Sequence, residues 1–398
     1  MPKDPAQPLR ILAVVNLPWD SRLGASRVWI ELSKEWERAG HIVERFCLTD
    51  AFPEPASSRA SSALRQLRFP ARAAAYVRQN ASRFDVIDAL IGVLPYPKSS
   101  LCFSGLVVAR SVGLYRLYDQ FVQRSRALWP DQPKGRWFGR FFHRSLERRA
   151  RQNSERSVQF CDLMNVPNED ERRELEQAPE IGARAIVQPY GLSDDFRHAL
   201  SAAAAPAQER LHRQKICFIG MWGPRKGAYD WPRIIAAVRQ RHPAAKFLLL
   251  GTMFDESVVR LELGSDDGIS CRTTFAEADL PELLGDCAVG LFPSYIEGFG
   301  LALLEQLAAR LPTIAYDVPG PRQILHPQRA RLLTVVGDPA ALAARACEIL
   351  ALNTQEYEQL SADCAAIAQQ YRWQQIARET VEDYRAALEL LGRRTLSA

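Results

Sequence analysis

The stretch PSYIEGFGLALLEQLAARLPTIAYDVPG, residues 293–320, decides how this 398-residue chain is read. The apolar AVGLF before it has the character of a buried strand, which Pro293 and Ser294 end. Gly298, Phe299 and Gly300 then let the backbone turn sharply into a helix beginning near Leu301. Leu301, Leu304 and Ala308 recur at helical spacing and would pack on a sheet, and PTIAYD (312–317) opens another strand. Glu297 therefore stands at a strand's carboxyl end and Glu305 on the inner turns of a helix, flanking a cleft rather than the core, with backbone amides between them. Carboxylates accept hydrogen bonds from hydroxyls, and amides hold phosphate or sugar oxygens, so the pattern suits a polyhydroxylated, phosphorylated ligand. The competing reading is two surface glutamates on an amphipathic helix.

Short apolar runs alternate with helix-length segments along the whole chain: ILAVVN (11–16), DVIDALI (85–91), GLVVAR (105–110), KICFIG (215–220) and KFLLLG (246–251). Their unbroken apolar character predicts strands covered on both faces, hence an α/β protein of doubly wound parallel sheets. HALSAAAAPAQERLHRQ (198–214) interrupts the pattern and reads as a linker, giving domains of about 1–198 and 199–373 with a cleft between them at the strands' carboxyl ends. With 47% hydrophobic and 24% charged residues the chain is globular, not disordered, and its net charge of +5 is too mild to choose among anionic partners. Eight scattered cysteines without a C-x-x-C pair predict reduced thiols. No signal-like apolar core opens MPKDPAQPLR and no run is long enough to span a bilayer, so the expectation is a cytoplasmic protein, peripheral to a membrane at most.

Two further loops follow strands. In LPWDSRLGASRVWIELSKEWERAGH (17–41), Gly24 and Ala25 keep the backbone accessible before a helix from about Arg27, where an anion would dock; equally, Ser26 is an ordinary N-cap. In CFIGMWGPRKGAYDW (217–231), Gly220 and Gly223 loosen the backbone, and Arg225 and Lys226 precede Gly227, placed to meet a diphosphate or to form a solvated basic turn. No G-x-G-x-x-G follows the first strand and no P-loop occurs, which removes the usual support for dinucleotide oxidoreductases and P-loop nucleotidases.

The frame FPSYIEGFGLALLEQLAARLPTIAYDVPGPRQIL resembles the donor-site signature of retaining GT-B glycosyltransferases of the large family 4 group, with its E-x7-E spacing. Likeness extends to VVARSVGLYRLYD (107–119), CDLMNVPNEDERRELE (161–176), VQPYGLSDDF (187–196) and YRWQQIARETVEDY (371–384). The resemblance implies two Rossmann-like domains facing across a cleft: an N-terminal acceptor-binding one and a C-terminal one for a nucleotide-sugar donor. It also implies a C-terminal helix, 374–398, that returns to the N-terminal domain. By the same resemblance Glu305 would hold the ribose hydroxyls and Glu297 a hydroxyl of the sugar, with Gly298, Phe299, Gly300, Leu301 and Gly220 lining the donor. Lys226, helped by Arg225, would neutralise the departing diphosphate. Gly24, Ala25, Arg110 and Val112 would belong to the acceptor and phosphate loops. Members retain anomeric configuration, with the leaving phosphate taking the acceptor's proton, so Glu297 would orient the sugar.

Three positions depart from the pattern. Met221 replaces an arginine, Val112 a histidine, and Tyr190 an asparagine. Loss of that histidine suggests a donor less polar near C6, such as a 6-deoxy sugar. No D-x-D triplet and no metal-spaced cluster occurs, so no cofactor or metal is expected. Residues 55–84 carry six arginines and no acid, and KGRWFGRFFHRSLERRARQ (134–152) sets Trp137, Phe138, Phe141 and Phe142 among arginines. These segments suit an anionic membrane surface or a lipid-diphosphate acceptor, or else plain amphipathic helices; no motif supports nucleic acid. The expected activity is sugar transfer to a glycan or lipid-linked acceptor in cell-surface polysaccharide or glycoconjugate synthesis. The alternatives are synthesis of a small glycoside, or a nucleotide-sugar-binding scaffold with weak turnover.

Overall fold

The computed structural model describes residues 7–129, 137–176, 184–264 and 267–396. Among these residues twelve strands form two six-stranded, all-parallel sheets. The first sheet contains β1 (Arg10–Val14), β2 (Ile42–Phe46), β3 (Val86–Leu90), β4 (Leu106–Arg110), β5 (Leu163–Val166) and β6 (Arg184–Val187), in the order β2-β1-β3-β4-β5-β6. The second contains β7 (Lys215–Ile219), β8 (Lys246–Leu250), β9 (Ile269–Arg272), β10 (Val289–Phe292), β11 (Thr313–Tyr316) and β12 (Leu333–Thr334), in the order β12-β11-β10-β7-β8-β9. Strands β3, β4, β10 and β11 are buried along their whole length, as unbroken apolar runs require when helices cover both faces.

Contacts divide the chain into one unit of residues 1–189 and 373–398 and a second of residues 190–372. The crossing from the first unit to the second thus falls at Pro189 and Tyr190. The stretch expected to be a linker is helical at Asp194–Ala202 and Ala207–Arg213 and belongs to the second unit. Its apparent low complexity hides an anchor: buried Arg210 donates to the carbonyl oxygens of Gly285 (2.9 Å), Ala309 (2.8 Å) and Arg310 (2.9 Å). Ala-rich segments are helix formers, and one buried guanidinium with several acceptors is enough to dock this one.

The Trp373–Leu396 helix packs in the first unit, where Trp36 Nε1 donates to the Ala377 carbonyl oxygen at 3.1 Å. Beneath it Arg110 donates to Asp88 Oδ2 (2.8 Å) and to the Tyr384 hydroxyl (2.9 Å). That hydroxyl in turn donates to Asp88, which also accepts from Trp29 Nε1 at 3.1 Å. A buried ion pair is tolerated when such hydrogen bonds satisfy it.

The basic segment 55–84 contains the amphipathic helix Arg59–Asn80. Phe69, Ala73, Ala74 and Val77 are buried on its inner side, while the Arg65 and Arg72 guanidiniums lie over the Phe52 ring. In the other basic segment, residues 134–136 and the side chains of Trp137, Phe138, Phe141 and Phe142 lie outside the described residues.

Candidate functional site

In an open parallel sheet, ligands gather where the strand order reverses, outside the carboxyl ends of the two strands that flank the reversal. In the second sheet that point lies between β7 and β10, which are paired at Val289–Ile216 and Gly290–Cys217. The loops leaving these strands are Gly220–Gly227 and Pro293–Gly300, the two glycine-bearing stretches singled out by sequence.

They meet through an ion pair. Lys226 Nζ donates to Glu297 Oε1 at 2.8 Å and Oε2 at 2.7 Å, with both side chains nearly nine-tenths buried. The ammonium also sits 5.1 Å from the centre of the Phe292 ring. Burial lowers the Lys226 pKa from its ordinary value; Glu297 opposes that shift, and Arg225 adds to it. Gly227, at φ +78°, lets the basic turn lie against Pro293, whose carbonyl oxygen any Cβ there would strike. The Tyr295 amide donates to the Arg225 carbonyl oxygen at 2.9 Å, and the Tyr295 and Tyr316 hydroxyls donate to Asp230 Oδ2 at 2.8 and 2.7 Å. Burial raises the Asp230 pKa against the pull of those two hydroxyls.

The helix Leu301–Ala308 begins where expected, with Gly300 at φ +107° as its N-cap. The Leu303 and Leu304 amides donate to the Gly300 carbonyl oxygen at 3.0 and 3.1 Å, and the amides before them precede the first intrahelical bond. Gly298 and Phe299 are buried, and Leu301 is half-buried. Phe299 packs between two tyrosine rings, Tyr190 at 5.3 Å and Tyr371 at 5.4 Å. Tyr190, one of the departures noted in the sequence, thus props the turn between the glutamates. Glu305 is 5% exposed, more buried than a residue flanking an open cleft. Gly220 donates its amide to the Leu250 carbonyl oxygen at 2.9 Å and lies close to the Lys226 stem, whereas Met221 is exposed. Ser294 Oγ, wholly buried at the end of β10, makes no hydrogen bond.

The remaining candidates lie in the first unit. The helix there starts at Gly24, three residues before the expected Arg27, and Ser26 is not its cap. Leu23 holds that position, and Ser26 Oγ donates to the Pro18 carbonyl oxygen at 2.8 Å. Gly24 is exposed with open space around it, and Ala25 is half-buried. Arg110 is not on an accessible loop: its guanidinium is 1% exposed and engaged by Asp88 and Tyr384. Val112 is half-buried in the loop after β4, which buried Glu171 braces by accepting from Ser111 Oγ at 2.6 Å. Burial pushes the Glu171 carboxyl up to about 7, against Ser111 and the Leu114 amide. Sequence reasoning missed Phe292, Asp230, Tyr295, Tyr316 and Tyr371, which reach the site through ring contacts and hydrogen bonds that only the folded arrangement brings together. Among the described residues no group of three or more His, Cys, Asp or Glu converges as a metal site.

Residues 213–352 match the family model described as glycosyl transferases group 1. Relatives include a D-inositol 3-phosphate glycosyltransferase of Streptomyces scabiei, 28% identical over 51% of this chain and 49% of that protein. Another is the GDP-mannose:cellobiosyl-diphosphopolyprenol alpha-mannosyltransferase of Xanthomonas campestris, 24% identical over 49% of this chain and 51% of its own. The chain thus spans about half the length of the curated relatives it matches. Among solved structures, sucrose-phosphate synthase from Thermosynechococcus elongatus superposes with a TM-score of 0.72 at 18% identity, covering 95% of this chain and 98% of that one. Anabaena HepE in complex with UDP-glucose gives 0.65 at 17%, over 94% and 99%. Residues 213–352 thus resemble the glycosyl transferases group 1 family, and the chain that carries them has the GT-B fold.

Proposed function

We propose that the protein is a retaining, metal-independent glycosyltransferase that moves a sugar from a nucleotide-sugar donor to a glycan or lipid-linked acceptor. The observation that carries this reading is the Lys226–Glu297 pair at the reversal point of the second sheet, beside a glycine turn and the start of the Leu301–Ala308 helix. The names of the relatives, which speak of sugar transfer, and the UDP-glucose held by HepE support it.

In the reaction, the bond from the anomeric carbon to the leaving phosphate breaks and a bond to the acceptor oxygen forms on the same face. The acceptor's proton passes to the departing phosphate. Positive charge develops on the sugar and negative charge on the phosphate, so catalysis rests on fixed positive charge and dipoles around that phosphate. Lys226 supplies the cation, Arg225 stands beside it, and the Phe299, Gly300 and Leu301 amides bind phosphate or sugar oxygens. Glu297 keeps the lysine in place and accepts from a sugar hydroxyl, while Glu305 takes the ribose. Gly220 and Gly298 keep the backbone close to the ligand, and Gly24, Ala25 and Val112 border the acceptor side. Arg110, buried, holds that side's framework. Cell-surface polysaccharide synthesis at the cytoplasmic face of a membrane fits this chemistry.

Thermal shift across UDP, GDP, ADP and dTDP, then across matching hexose and 6-deoxyhexose donors, tests the reading, because a ligand of the folded state raises its stability by mass action. One nucleotide family is expected to stabilise the protein, its sugar form to be hydrolysed slowly without acceptor, and turnover to persist in a chelator. Absence of any donor-dependent shift or hydrolysis sinks the assignment. Loss in chelator with rescue by magnesium or manganese sinks metal independence, and inverted product configuration sinks retention.

A further inference from the structure

A cavity of about 430 Å³ opens in the first unit, at the edge of the sheet where β3 and β4 end. Ile91, just past β3, and Leu114, in the loop after β4, form part of its wall with Leu175, while Arg116, Arg151 and Arg156 border it from the helices Tyr115–Leu128 and Trp137–Phe160. The volume is that of a site for a small ligand, for which roughly 300–1,000 Å³ is usual.

Its charges are unbalanced. Arg151 is neutralised by Glu155, also in the wall, at 3.0 Å and by Asp119 at 3.2 Å. Arg116 and Arg156 make no ion pair among the described residues; Arg156 instead lays its guanidinium over the Phe160 ring, 5.7 Å from its centre. Two arginines without acids on one cavity, above an apolar floor and at the carboxyl edge of a parallel sheet, match an oxyanion with several acceptor oxygens better than a neutral sugar. Guanidiniums grip phosphate by paired N–H donors, and the apolar wall accommodates the carbon skeleton attached to it.

We propose that this cavity binds a phosphate-bearing group and that, on the sugar-transfer reading above, its occupant is a phosphate carried by the acceptor. The phosphate arrives either on a soluble molecule or as the headgroup of an anionic lipid. The cavity lies wholly within the first unit and shares no residue with the Lys226 site.

Calorimetric titration with sn-glycerol 1-phosphate, with glycerol as the phosphate-free control, measures the site directly. Binding of the phosphate alone is expected, weakened at least tenfold in R116A/R156A, partly restored in R116K/R156K and unchanged in K226M. Both arginines are exposed, so the double variant should keep the parent's circular dichroism and melting temperature. Flotation with phosphatidylglycerol vesicles, against phosphatidylcholine ones, separates the two sources. Arginine-dependent flotation identifies a lipid headgroup, and arginine-dependent titration without flotation identifies a soluble phosphate. The proposal is overturned by no arginine-dependent binding in either assay, or by binding that disappears in K226M. Probe binding in a protein that never hydrolyses a donor would keep the cavity's role and remove the transfer reading; hydrolysis without arginine-dependent binding would do the reverse.

Discussion

Lys226 is held between opposing influences: burial drives its proton off, and the carboxylate of Glu297 keeps it on. On the proposed reading the protonated form stabilises the departing phosphate, and its pKa lies below lysine's ordinary value. Activity is therefore expected to fall as pH rises through that depressed pKa, on a limb below the lysine norm of about 10.4. In K226R the limb should disappear, because a guanidinium stays charged throughout. K226M should lose about 3 kcal/mol of transition-state stabilisation, roughly a hundredfold in kcat. A pH–rate profile of donor hydrolysis for the three proteins checks this; an unchanged alkaline limb in K226R would assign the titration to another group. That the Lys226 turn and the Glu297 loop belong to one candidate site was an expectation drawn from spacing and resemblance. Their direct pairing was not legible, since it depends on which strands are neighbours, and β7 and β10 are far apart in sequence.

At the scale of elements, the basic turn and the loop after β10 form one bolted piece. Gly227 lets them touch, the Tyr295 amide ties them, and two tyrosine hydroxyls converge on Asp230. G227A must move Pro293 and also place a Cβ in the left-handed region, so a loss of about 1–3 kcal/mol is expected. Y295F should cost about 1 kcal/mol, with a fall in turnover if the bolt positions Lys226. Denaturant unfolding with parallel kinetics measures both; G227A with parental stability would show that the turn has room to relax. The sequence announced the glycine turn and the start of the Leu301–Ala308 helix because glycine has few other uses before a helix. It misdirected at Ser26, whose hydroxyl reaches back to Pro18 rather than forward to its helix, and at 198–214, where alanine richness concealed a docking arginine.

For the whole molecule, the alternation of apolar runs sufficed to foresee two parallel sheets, since only strands covered on both faces read that way. The buried cluster of Asp88, Arg110 and Tyr384 was not legible, because its members come from distant parts of the chain and one of them, Arg110, resembles a ligand-facing residue. D88A leaves Arg110 buried without its carboxylate and is expected to cost about 3–5 kcal/mol, lowering the unfolding transition of the first unit and leaving that of the second in place. Calorimetry with unit-specific tryptophan fluorescence resolves the two, and a uniform shift of both would show them to unfold as one. The chain passes between units twice, once after Pro189 and again after Arg372. On the ribosome this means that the second unit, made from one uninterrupted segment, has all its residues in hand first. The first unit, begun earlier, must wait with the Asp88–Arg110 pair uncapped until Tyr384 emerges, so the order of completion is the reverse of the order of synthesis.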